Sequence, residues 1–207
     1  MGIPIAGSFP ANLSYRNQLF LFTQNFKRMR NAMILFSSLL LGLQLLSSCE
    51  DKATDLPSVM SIHAIGKATA VPTQLRLPGI ELEVSGNAFT MDFFDAPTAK
   101  RLGTVTDINV ATETFEDGRM KGENYTLFTF EADNSTLLLH NFIDMTPISA
   151  TALQAIIPAD QTKYNVIAGT GRFAHASGGS TLLAFLDMTE FDIGKVGFDC
   201  HYRISFK

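Results

Sequence analysis

Short runs in which apolar and polar residues alternate recur along this chain. In the segment 198–206, Phe198, Cys200, Tyr202, Ile204 and Phe206 fall on one face, and Asp199, His201, Arg203 and Ser205 on the other. A period of two belongs to a half-buried antiparallel strand and not to a helix. Similar runs cover 59–71, 80–95, 101–115, 122–132, 135–144, 163–168 and 180–188. Between them lie turn-forming clusters: Leu77-Pro78-Gly79, Ala96-Pro97-Thr98, Glu116-Asp117-Gly118, Asp133-Asn134, the loop from Pro147 to Pro158, Gly169 to Gly179, and Asp192 to Gly197. Ser149–Ile157 is the one stretch that reads as a turn or two of helix. Eight runs over residues 59–207 predict an all-β domain. The expected form is an eight-stranded antiparallel up-and-down β-barrel, whose closure removes exposed sheet edges. A β-sandwich shares the same pattern.

Charge divides the chain before the strands begin. Residues 1–48 contain no Asp or Glu and four basic residues, Arg16, Lys27, Arg28 and Arg30. The remainder carries 12 basic against 20 acidic residues, a net of −8. Lys27-Arg28-Met29-Arg30 precedes an apolar run from Ala32 to Leu46, too short for a spanning helix and suited to a signal peptide. Leu46-Ser47-Ser48-Cys49 then resembles a bacterial lipobox, in which the Cys thiol accepts the lipid. The reading is an N-terminal signal helix over 29–48, a lipidated Cys49 with a tether to residue 58, and the barrel over 59–207. Residues 1–28 read as an extension upstream of Met29. Such a chain is exported and held in the bacterial cell envelope, with the outer membrane as the expected site. Its first partner is the lipid membrane, through acylated Cys49. Multiple acyl chains anchor stably where one does not.

Two segments narrow the domain. One is Asp92-Phe93-Phe94-Asp95, then Ala96-Pro97-Thr98-Ala99-Lys100-Arg101-Leu102-Gly103-Thr104. The other is Asn165-Val166-Ile167-Ala168-Gly169-Thr170-Gly171-Arg172-Phe173-Ala174-His175-Ala176-Ser177-Gly178-Gly179. Together they resemble the allene oxide cyclase and dirigent barrel superfamily, with Ala168 standing where that family usually has the first of two Gly. The resemblance implies an eight-stranded barrel around a mostly apolar cavity that holds a reactive apolar ligand in one conformation. Its motifs concern the scaffold, so it brings no catalytic residues with it. Gly169, Gly171 and Gly178 suit a tight corner, Phe173 a plug for the barrel end, and Arg172 a position at the rim. The segment does not match a phosphate-binding loop.

Within the domain, Asp107, Asn109 and Glu113 lie on one face of their run, with Phe115 beyond them. A carboxylate held inside a barrel has a raised pKa and serves as a general base, so Glu113 and Asp107 are candidates, with Glu113 preferred. His140 and Asp144 flank Phe142 on one strand face and present a second candidate pair. Asn109, Phe115, Phe142 and Asp144 are the candidate ligand-binding residues. Cys200 alternates with aromatic residues and reads as core; Asp199 and His201 read as solvated rim; His63 and His175 have no partner in the sequence. No His, Cys or Asp spacing points to a metal, and no motif implies a cofactor. An acidic domain without a basic patch argues against nucleic acid. Seventeen Phe and no Trp suit either a lined cavity or a filled core. Three functions follow in order: binding of a small apolar or phenolic ligand, a non-catalytic envelope interaction module with a filled core, and an isomerase or cyclase.

Overall fold

A computed structural model describes residues 56–76 and 82–207. The signal peptide, Cys49, the 1–28 extension, most of the tether and the Leu77-Pro78-Gly79 turn lie outside the described residues. Among the described residues no helix is long and apolar enough to cross a membrane.

Ten antiparallel strands form one sheet: β1 (Val59–Thr69), β2 (Val71–Arg76), β3 (Glu83–Asp95), β4 (Arg101–Thr114), β5 (Met120–Phe130), β6 (Thr136–Ser149), β7 (Ala152–Ile156), β8 (Val166–Thr170), β9 (Gly178–Asp187) and β10 (Lys195–Phe206). The hydrogen-bonded order is β1-β10-β9-β7-β6-β5-β4-β3-β2. β1 also pairs with β3, Ile62 opposite Asp95 and Ile65 opposite Asp92, so the sheet returns on itself as a ring. The all-β expectation holds, with ten strands where eight runs were read.

Both extra strands have physical reasons. β2 contains Pro72, which lacks an amide donor, and β2 pairs only with β3. β7 corrects the helical reading of 149–157. Leu153 and Ala155 point inward while Gln154 and Ile156 point out, and β7 bridges β6 and β9. A five-residue apolar run carries too little periodicity to separate strand from helix. Pro147, read as loop, sits inside β6 at a bulge, where a missing donor is tolerated.

The inward face follows from burial. Phe93, Phe128, Phe130 and Phe173 are fully buried. Phe93 meets Phe128 and Phe130 edge-on, with centroids 5.2 and 5.1 Å apart. Phe173, carried on the short 3-10 turn Gly171–Phe173, lies 4.9 Å from Phe130 and 5.8 Å from Phe206. It closes that half of the ring, as the sequence suggested. Arg172 beside it stays half-exposed, 4.5 Å over the Phe130 ring and 3.5 Å from Asp133. A second, smaller cluster of Val84, Ala88 and Ile108, with Leu75 and Tyr125 against it, packs on the outer face.

The Asp95 corner is also structural. Its carboxylate accepts the Thr98 amide at 3.2 Å and the Thr98 hydroxyl, and its backbone amide bonds Lys100 O at 2.8 Å. Gly103 then lies so close to β5 that a Cβ there would sit 2.0 Å from Thr129 O.

Candidate functional site

The interior is not uniformly apolar. Away from the four Phe, β4 and β5 carry inward-pointing Asp107, Asn109, Asn124 and Thr126. Asp107 Oδ1 accepts Thr126 Oγ1 at 2.7 Å, and Asp107 Oδ2 accepts Asn124 Nδ2 at 2.6 Å. Asn109 Nδ2 donates to Asn124 Oδ1 at 3.3 Å. Thr126 also accepts from Asn141 Nδ2 at 3.0 Å, and Asn141 Oδ1 accepts Asn165 Nδ2 at 2.9 Å. One polar chain therefore runs across the ring interior from β4 to β9, and every buried side-chain polar atom among the described residues has a partner.

Asn165 explains why the chain needs amides there. β6 is flanked by β7 along one half and by β8 along the other, and Asn165 sits in the gap between those two strands. Its side chain takes over the ladder: Oδ1 accepts Ser180 N at 2.6 Å and Nδ2 donates to Ser180 Oγ at 2.8 Å. The Asn141–Asn165–Ser180 end is a stitch that replaces missing backbone pairing.

The Asp107 end is different in kind, because it holds an ionisable group. Burial pushes the Asp107 carboxyl above the ordinary range, against the lowering pull of its bonds from Thr126 and Asn124. Burial also raises the Cys200 thiol, with the charges of Asp107 and Asp199 adding to it. Tyr202, raised first by burial and then by Cys200 and Asp107, lies against Thr126. Around this group, inward-facing Phe89, Met145, Leu186 and Phe198 pack on the core but are only partly buried. Phe89 and Phe198 face each other at 5.3 Å. Such exposure of inward residues places them at an open mouth of the ring.

A bulge in β4 rearranges the sequence candidates. The register shifts between Asn109 and Ala111, so Val110 is extra and the faces exchange beyond it. Asp107 and Asn109 point inward. Thr112 joins them, donating to Asn109 Oδ1 at 3.0 Å, while Glu113 turns outward opposite Lys121. Asp107, Asn109 and Glu113 are thus not one row, and the enclosed carboxylate is Asp107. His140, Phe142 and Asp144 face outward, because Leu139, Asn141 and Ile143 take the interior of β6. His140 stacks on Tyr125 at 4.4 Å and bonds Glu123 Oε1 at 2.9 Å. Phe115 sits on the β4–β5 hairpin between the Arg119 and Lys121 cations, 5.8 and 5.9 Å away.

Glu113, Phe142 and Asp144 do meet, in a separate open cleft of about 520 Å³ that Gly122, Glu123 and Pro158 also line. Gly122 links the two regions: a Cβ there would come 2.9 Å from Asn124 Oδ1 and 3.4 Å from Asn109 Nδ2. Sequence reasoning missed Asn124, Thr126, Asn141, Asn165, Tyr202 and the two mouth Phe. The alternation Gly122, Asn124, Thr126, Phe128, Phe130 was the available signal for the β5 members.

No family model matches this chain, and no curated protein matches it. Among solved structures it is similar to a pterocarpan synthase dirigent protein, at 17% identity and a TM-score of 0.36, covering 72% of this chain and 94% of that one.

Proposed function

We propose that this chain is a lipid-anchored binding protein of the bacterial cell envelope, whose domain is an allene oxide cyclase-like and dirigent-like barrel that takes a small apolar or aromatic ligand at the mouth above Asp107. The observation that carries this reading is the partly exposed, inward-facing Phe89, Met145, Leu186 and Phe198 around an enclosed carboxylate. Apolar walls supply affinity and a few fixed polar groups set orientation, the usual division of labour in a small-molecule site. Ten strands fill eight positions around the ring, since β1 with β2, and β7 with β8, each run in tandem along one neighbour. That count supports the eight-stranded barrel. The leader supports the anchor: Lys27 to Arg30, the apolar run and the lipobox ending at Cys49 stand in order. The outer membrane is the favoured location.

Native mass spectrometry of the full chain from its own host tests the binding reading. The expected result is a small-molecule adduct that survives desalting and is lost on unfolding. A clean protein mass, with no thermal shift against oleic acid or coniferyl alcohol, removes it. The anchor is tested apart, by fractionation of Cys49→Ser: release from the membrane fraction is expected, and unchanged sedimentation contradicts acylation there.

A second reading is a non-catalytic interaction module with a filled core. It is favoured by the close packing of Phe93, Phe128, Phe130 and Phe173, and by exposed Ile65, Ile156, Leu183 and Phe185 on the outer face. The isomerase reading comes third. It requires Asp107 to exchange a proton with the ligand, so Asp107→Asn would bind ligand but not convert it.

A further inference from the structure

The first and last strands of the domain pair along the whole of β1, and a group of metal-ligating side chains sits on that seam. His63 of β1 lies directly opposite His201 of β10 in the antiparallel register. Asp199 shares the outer face of β10 with His201, two residues away. The imidazoles stack with centroids 4.5 Å apart and planes 4° from parallel. Asp199 Oδ1 lies 2.8 Å from His63 Nε2 and 3.1 Å from His201 Nε2. All three ligating atoms fall within 4.8 Å of one another. The side chains are 30%, 47% and 50% exposed for His63, Asp199 and His201, so an ion reaches them directly from solvent.

We propose that His63, Asp199 and His201 bind a divalent transition cation of the zinc class, which fastens the first strand of the ring to the last. Two imidazole nitrogens and one carboxylate oxygen are the donor set of such ions, with water completing the shell. A tetrahedral site with metal–ligand bonds near 2 Å sets its ligand atoms about 3.3 Å apart. The two Asp199 edges already approach that spacing. The His–His edge reaches it by rotation of the half-exposed rings, without movement of either strand. In the metal-free form His63 Nε2–H donates to Asp199 Oδ1; ion binding requires any Nε2 proton to leave or move to Nδ1, which frees the lone pair that binds the metal.

The sequence hides this site because His63 and Asp199 are 136 residues apart. The same separation gives the ion its effect. A bond across the seam closes most of the domain into one loop, and an ion that binds only the folded state stabilises it by mass action. The cluster faces out, whereas Asp107 faces inward.

The test is a zinc titration of the full chain in detergent, by calorimetry and by thermal unfolding. One equivalent is expected to bind, to be removed by EDTA and to raise the unfolding midpoint. His63→Gln and His201→Gln are each expected to weaken binding about tenfold or more, because even outer-shell partners of a metal are worth about 10- to 100-fold. Both variants should lose the rise in midpoint. His175→Gln, outside the cluster, keeps binding and rise alike. Asp199→Asn repeats the reading should a His variant fold poorly. Absence of zinc binding by the parent chain, or binding and stabilisation that survive His63→Gln, overturns the proposal.

Discussion

Thr126 Oγ1 donates to Asp107 Oδ1 at 2.7 Å, which joins β5 to β4 inside the ring and holds a carboxylate in a place that disfavours its charge. The folded chain therefore keeps the Asp107 proton to higher pH than the unfolded chain does. The sign follows from proton linkage: the native state binds more protons in this window, so stability from this group is full below the unfolded carboxyl range and falls as pH rises toward the folded value. Asp107→Asn cannot ionise and lacks that slope. Urea unfolding at about pH 4 and about pH 8 should show the parent chain losing ground to Asp107→Asn as pH rises. A parent chain that gains on the variant instead contradicts the enclosure of this carboxylate.

Phe173 closes the opposite end of the ring and is fully buried between Phe130 and Phe206. Phe173→Ala should cost about 3–5 kcal/mol through lost burial and the cavity it leaves. Urea unfolding checks this. A loss under about 1 kcal/mol would mean that the end is not packed as described.

Gly171 and Gly194 both adopt left-handed backbone, at φ 57° and 74°, but in different surroundings. A Cβ at Gly171 meets Ser135 Cβ at 2.9 Å, while one at Gly194 meets open space. Gly194→Ala should cost only the backbone penalty, about 1–2 kcal/mol. Gly171→Ala should cost about 1 kcal/mol more, because Ser135 must move. Equal losses in thermal or urea unfolding would place the strain in the backbone alone.

Cys200 is buried, and its thiol is pushed well above the ordinary range by burial and by the nearby carboxylates. In a Cys49→Ser background it should not react with a thiol reagent in the native protein, and should react fully in urea. Fast native labelling would show that the Asp107 end opens more widely than the structure describes.

The alternation of Phe198 to Phe206 was enough to read β10 and its inward face, because period two leaves one arrangement for a half-buried strand. The Val110 bulge was not readable. A single unpaired residue leaves no mark in composition, yet it turns Glu113 outward and leaves Asp107 as the enclosed carboxylate. β7 was hidden for a related reason, since five residues of Ala, Leu, Gln and Ile suit a helix as well until β6 and β9 claim them. Asn165 looked like the start of a Gly-rich turn, and only the gap between β7 and β8 shows why an amide belongs there. His63 had no sequence neighbour to give it meaning, because its partners lie on the last strand.

The chain contains no Trp, so a single indole can report on ligand binding at the mouth itself. A Phe198→Trp variant places the only indole beside Phe89, over the Asp107 group. Its fluorescence is followed while the full chain is titrated with oleic acid, with coniferyl alcohol and with a lipid extract of the host. A saturable change is expected with at least one of these, with an altered midpoint when Asp107→Asn is added. A signal that stays flat, or drifts without saturating in all three, contradicts a ligand site at this mouth.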